Sequence, residues 1–302
     1  MLVPGYKLQE IIGVGRTATV YLALDGSGRR VALKVPKAEV MRDAVLGRMF
    51  TNEVSLYKKI SHPRIAPSYD GAVGAPIAFL AMHYFEDGPM GSRQFPLAES
   101  LRILADLAEA LAYLHSEGIV HQDVKPNNVF VEGGRGFLAD FGAAASESQP
   151  WHTAGTPYYM APELYRGERN TPKSDVYALG VLAFEVLSGA RPFEGETLEE
   201  LQAAHLAQPA QGIRERVPDL PRPAASAIDR ALLKDQTGRP TAHEFARSME
   251  SALRRLDASE EHVDVLAGGR PAATPGRRVE ASAMRAKDEK GSLLGRLFRR
   301  KG

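Results

Sequence analysis

The run His121-Gln122-Asp123-Val124-Lys125-Pro126-Asn127-Asn128, followed by Asp140-Phe141-Gly142, concentrates the reactive side chains of this chain. Asp123 is a carboxylate that can take a proton from a hydroxyl, and Lys125 is a cation that can meet a transferring phosphate. Asn128 and Asp140 offer the hard oxygen ligands that Mg2+ takes. Phosphoryl transfer needs such parts, because its catalysis is mostly positioning and charge neutralisation. Upstream, Ile12-Gly13-Val14-Gly15-Arg16-Thr17-Ala18-Thr19-Val20 is a glycine turn between two β-rich runs. Glycines there let backbone N–H groups approach phosphate oxygens with no Cβ in the way. A dinucleotide fingerprint would need a helix after the glycines, and here a strand follows.

The elements that must position these groups can be read from periodicity. Tyr6 to Gly13, Ala18 to Leu24 and Arg30 to Val35 are β-rich, and Asp25-Gly26-Ser27-Gly28 marks a hairpin. Leu46 to Ile60 has helical spacing, with Leu46, Phe50, Val54 and Tyr57 on one side, and His62-Pro63 closes it. Ala78 to Phe85 is an apolar strand. Beyond Glu86-Asp87-Gly88-Pro89 the pattern turns helical: Ala98 to His115 with a cap near Gly118, Ser174 to Ser188 apolar on nearly every side, and a last helix from the Thr241-Ala242-His243-Glu244 capping box toward Leu256. There are no internal repeats.

Taken together and in this order, the motifs resemble the protein kinase family, in its eukaryotic-like (Hanks-type) serine/threonine form. The segments that carry the resemblance are the glycine loop, Val31-Ala32-Leu33-Lys34, His121 to Asn128, Asp140-Phe141-Gly142, Gly155-Thr156-Pro157-Tyr158-Tyr159-Met160 and Ala161-Pro162-Glu163, within residues 6 to about 255. The resemblance implies an α+β bilobal fold: a β-rich small lobe (1–82), a hinge (83–88) and a larger helical lobe (89–257). ATP and Mg2+ would lie between the lobes. Lys34 would reach the α- and β-phosphates, oriented by Glu53. Asp123 would be the general base, Lys125 would neutralise the transferring group, and Asn128 and Asp140 would hold the metal. Ile12, Gly13, Gly15, Val20, Ala32, Met82, His83, Phe85 and Phe130 would enclose the nucleotide, with Val20 and Ala32 above adenine and Phe130 below. Met82 falls at the gatekeeper position. The hinge would bond adenine through backbone groups, leaving the His83 side chain incidental. Thr156 would bond toward Asp123 and Lys125, and Glu163 would form a buried pair with Arg239. The Lys-Pro-x-Asn run and the Gly-Thr-Pro segment point to protein Ser/Thr hydroxyls as acceptors. The alternatives are a pseudokinase scaffold and, less well supported, a small-molecule kinase.

Two positions depart from the family pattern. Ala18 replaces the third loop glycine, which implies a stiffer loop. Gln122 stands where an arginine usually precedes the catalytic aspartate, so a phosphate on Ser146, Ser148 or Thr153 would lack its customary cation. Activity is therefore expected not to require loop phosphorylation, with autophosphorylation an open possibility.

Composition sets the outer bounds. The 302 residues are 44% hydrophobic and 25% charged, with net charge +1 and no cysteine. That excludes disulfides and thiolate chemistry and gives no argument for a nucleic-acid partner. No run approaches the roughly 20 apolar residues of a membrane span, and the N-terminus lacks signal-peptide character, so a cytoplasmic location is expected. Residues 258–302 form a basic tail, with ten basic and three acidic side chains from 266 onward, expected to be disordered. Leu293, Leu294, Leu297 and Phe298 would share a face if that end became helical, giving a membrane-surface or docking element.

Overall fold

The computed structural model describes residues 2–74, 77–146 and 156–267, with side chains of 145–146 and 259–267 excepted. Ser148, Thr153 and the tail beyond 267 lie outside the described residues. Residues Met1–Glu261 form one compact unit; of the second, His262–Gly302, only the helical start is described.

Strands β1 (Tyr6–Val14), β2 (Ala18–Asp25) and β3 (Arg30–Pro36) form an antiparallel meander. The β2–β3 turn closes because Asp25 accepts N–H bonds from Ser27 (2.9 Å) and Arg29 (3.0 Å), while Gly28 takes φ +84°, which a side chain would resist. Two helices follow, α1 (Ala38–Arg42) and α2 (Ala44–Tyr57), and then strands β4 (Ser68–Ala72) and β5 (Phe79–His83) complete a sheet of order β1-β2-β3-β5-β4. Asp43 starts α2 by accepting from the N–H groups of Val45 and Leu46. The two-residue period of the strands sorts the sheet. Val31, Leu33, Phe79 and Ala81 enter one apolar cluster, while Val20, Ala32, Lys34 and Met82 face the other way.

The larger lobe is built on α3 (Leu97–Ser116), whose apolar faces are buried. Short strands β6 (Ile119–Val120), β7 (Val129–Glu132), β8 (Arg135–Leu138) and β9 (Ala145–Ser146) carry the reactive segments; β7 pairs with β8 and β6 with β9. Helices α4 (Pro162–Tyr165), α5 (Pro172–Ser188), α6 (Leu198–Ala207), α7 (Ile213–Arg216), α8 (Arg222–Ala231) and α9 (Ala242–Ala267) follow. Helix α5 is the central core helix, as its all-round apolar pattern implies, and Gly189 ends it at φ +74°. Gly180 of α5 lets α8 approach: a Cβ there would sit 2.7 Å from that of Ala231. The Thr241–Glu244 box opens α9 as expected. That helix continues to Ala267, so residues 258–267, expected as part of the disordered tail, are helical.

Candidate active site

Lys34 is fixed by β3 and Glu53 by α2. The ammonium lies 2.7 and 2.9 Å from the two Glu53 oxygens and 2.9 Å from Asp140 Oδ1. Burial works against the charge on Lys34, but the two carboxylates outweigh it and hold the amine above its ordinary value. Burial pushes the Glu53 carboxyl up to about 7, against the pull of Lys34. The two-oxygen contact is ion-pair geometry, and we read the pair as charged near neutrality. Asp140 also loses from burial, yet Lys34 and the Gly142 N–H bring it well below the usual carboxylate range.

Asp140 sits at φ +65° and Gln122 at φ +68°, the only described non-glycine residues in the left-handed region. Such backbone is sustained only where the surroundings dictate it. For Gln122 the cause is Asp175, at the start of α5. Its buried carboxylate accepts the N–H groups of His121 and Gln122, both at 2.8 Å, and lies 2.9 Å from His115 Nε2. His121, also buried, meets the Ala139 carbonyl at 3.1 Å and the edge of Phe141. Phe141 in turn packs against Tyr57 of α2, whose hydroxyl accepts from the Asp140 N–H. The segments bearing Asp123 and Asp140 are thereby fastened to α5 and α2.

Asp123 lies at the centre of a polar knot. Its Oδ2 is 2.6 Å from Lys125 Nζ and accepts from Asn128 Nδ2 at 3.1 Å. Thr156 Oγ1 donates to Asp123 Oδ1 at 3.2 Å and lies 3.0 Å from Lys125 Nζ. Asn128 Nδ2 also bonds the Asp123 carbonyl at 2.8 Å, so both of these bonds use the amide nitrogen. Asn128 and Asp140 both face a cleft of about 550 Å³. Ile12, Gly13, Val20, Ala32, Lys34, Met82, His83, Phe85 and Phe130 line it as well. Gly15 and Glu53 lie outside this lining: Gly15 closes the turn through its N–H to the Ala18 carbonyl, and Glu53 stands behind Lys34. Asp123 and Lys125 are one hydrogen bond beyond Asn128.

Arg239 and Glu163 meet as a buried bidentate pair at 2.7 and 2.8 Å. Gln122 Oε1 accepts from Asn170 Nδ2 at 3.4 Å, so a neutral amide occupies its side-chain site. Sequence reasoning missed Asp175, because nothing local reveals an acceptor for backbone groups fifty residues away. Its one trace is an acid in the first turn of a mostly apolar helix.

The protein kinase domain family matches residues 6–249. This chain belongs to the protein kinase family. The kinase domain is 32% identical to serine/threonine-protein kinase PrkC of Bacillus subtilis over 266 residues, 82% of this chain and 40% of PrkC. It is 33% identical to serine/threonine-protein kinase pkn2 of Myxococcus xanthus over 278 residues (84% and 33%). With serine/threonine-protein kinase PkaA of Streptomyces coelicolor the identity is 34% over 273 residues (81% and 49%). The chain thus spans a third to a half of the length of these relatives. No helix among the described residues is long and apolar enough to cross a membrane.

Proposed function

We propose that this kinase domain transfers the γ-phosphoryl group of ATP to serine and threonine hydroxyls of proteins. The observation that carries the reading is the knot of Asp123, Lys125, Asn128 and Thr156 joined within 3.2 Å beside the Lys34–Asp140 wall of the cleft. Asp123 accepts the proton of the acceptor hydroxyl as the phosphoryl group moves. Lys125, held between Asp123 and Thr156, neutralises charge on the transferring oxygens. Lys34 binds the α- and β-phosphates, and Glu53 keeps it aimed. Hinge backbone groups around His83 and Phe85 take the adenine edge, with Val20 and Ala32 above the ring and Phe130 below.

Asn128 and Asp140 suit Mg2+: both offer hard oxygens to the cleft, and phosphates and water would complete the shell. When bound, the ion neutralises phosphate charge. Gln122, paired with Asn170, supports activity that does not depend on a phosphorylated loop. The test is radiolabelled ATP supplied to the protein alone and then with a generic basic protein. Label transfer to protein that Asp123→Asn abolishes supports the reading; label on small molecules only, or none, overturns it.

A further inference from the structure

We infer that the His83 side chain is a latch across the hinge, positioning the adenine floor and tying the two lobes together. The inference rests on the nucleotide site proposed above and corrects the expectation that this side chain is incidental. His83 ends β5. Its Nδ1 is 3.0 Å from the Tyr69 hydroxyl on β4, in the small lobe. Its Nε2 is 3.1 and 3.2 Å from the two oxygens of Glu132, which ends β7 in the large lobe. One neutral tautomer satisfies all three contacts: Tyr69 O–H donates to Nδ1, and Nε2–H donates to Glu132.

The ring is held from further sides. Its edge meets Phe85 at 4.6 Å, and Phe85 stacks on Phe130 at 4.7 Å and 20°. Both phenylalanines line the cleft. Tyr69 carries the Arg29 guanidinium 3.7 Å above its ring, and Arg29 is anchored to Asp25 at 2.8 Å. A second brace, the Arg30–Glu86 ion pair, runs from β3 to the segment after β5. The β2–β3 turn, β4, the hinge and β7 are therefore linked side chain to side chain, and His83 is the member that touches both lobes. Turning the imidazole frees Phe85, and with it the Phe130 surface and the backbone groups meant for adenine. His83 is a positioning residue: it acts on the nucleotide through Phe85.

The test compares KM for ATP and for a peptide acceptor in variants of the 302-residue chain. Glu132→Ala removes the large-lobe anchor and should raise the ATP KM about three- to tenfold, the range of one to two modest hydrogen bonds, with the peptide KM moving less than about twofold. Glu132→Gln, whose amide oxygen still accepts from Nε2–H, should stay within about twofold of wild type. His83→Phe keeps the ring against Phe85 but drops both links, and combining it with Glu132→Ala should add little to either alone. Overturning results are an unchanged ATP KM in Glu132→Ala, equal rises for ATP and peptide, or Glu132→Gln behaving like Glu132→Ala. Binding of a fluorescent ATP analogue to wild type separates the two readings. No binding there sinks the nucleotide site itself; binding that is the same in wild type and all variants sinks only the latch.

Discussion

Arg239→Leu should unfold the large lobe far more easily, by an amount set by what the guanidinium satisfies. Its two terminal nitrogens bond Glu163 at 2.7 and 2.8 Å, and further bonds run to the carbonyls of Leu233 (2.9 Å), Lys173 (3.0 Å) and Lys234 (3.3 Å). The side chain is 0% exposed and that of Glu163 2%. Removing the cation leaves a buried carboxylate whose remaining side-chain partner is Ser174, at 2.7 Å. Breaking such a pair costs about 3–5 kcal/mol. At about 2–4 °C per kcal/mol for a domain of this size, Tm should fall by about 6–20 °C. The pH dependence carries a sign. In the wild type burial raises the Glu163 carboxyl, and Arg239 and Ser174 more than offset it, so its value is lowered. That stability is present above the ordinary carboxylate range and lost as pH falls. In the variant burial dominates and the carboxyl is raised, so stability falls as pH rises through that range. The Tm gap between the two proteins should therefore be wider at about pH 8 than at about pH 5. The double variant Glu163→Gln with Arg239→Met should recover much of the loss, because it strands no charge. A Tm within about 2 °C of wild type for Arg239→Leu, or a gap that widens toward acid pH, would refute the reasoning.

Other expectations follow from the same geometry. Lys34→Met should keep the fold and lower kcat/KM at least about a hundredfold, read by phosphate transfer and circular dichroism; a smaller loss would remove Lys34 from phosphate binding. Burial and the Lys234 charge push buried His205 down to about 3. Its unfolded form takes up a proton near pH 6.5, so His205 contributes stability above that pH and loses it as pH falls toward 3. His205→Gln should flatten the decline of urea stability between about pH 6.5 and 4, and an unaltered slope would count against it. Replacing Ser146, Ser148 and Thr153 together by alanine should leave kcat/KM within about tenfold; a larger loss would mean that loop phosphorylation is required despite Gln122.

Much of this domain was legible in the sequence for identifiable reasons. The β1–β3 meander announced itself through β-rich runs and the Asp-Gly-Ser-Gly turn. Helix α5 did so because the seventeen residues Pro172–Ser188 are apolar on nearly every side from Val176 to Leu187, with Glu185 the one charge in that stretch, and Gly189 ends them. Helix α2, expected over Leu46–Ile60, runs Ala44–Tyr57 because Asp43 caps it earlier than the apolar pattern suggests. Strand β4 was invisible: Ser-Tyr-Asp-Gly-Ala has no apolar alternation, and an edge strand paired on one side needs none. The two-residue strands β6 and β9 exist only through pairing with each other. In the candidate site, the residues singled out from type and spacing could be named from the sequence. The devices that hold them were not, because the Asp175 bonds to His121 and Gln122 and the Tyr69–His83–Glu132 bridge join residues far apart in the chain.

The most direct test is a crystal structure with Mg2+ and a non-hydrolysable ATP analogue. We expect a metal at about 2.1 Å from the Asn128 amide oxygen and from Asp140. Lys34 should reach the α- and β-phosphates, and the γ-phosphate should face Lys125 and Asp123. A nucleotide bound elsewhere, or bound in this cleft with its metal away from Asn128 and Asp140, would contradict the account.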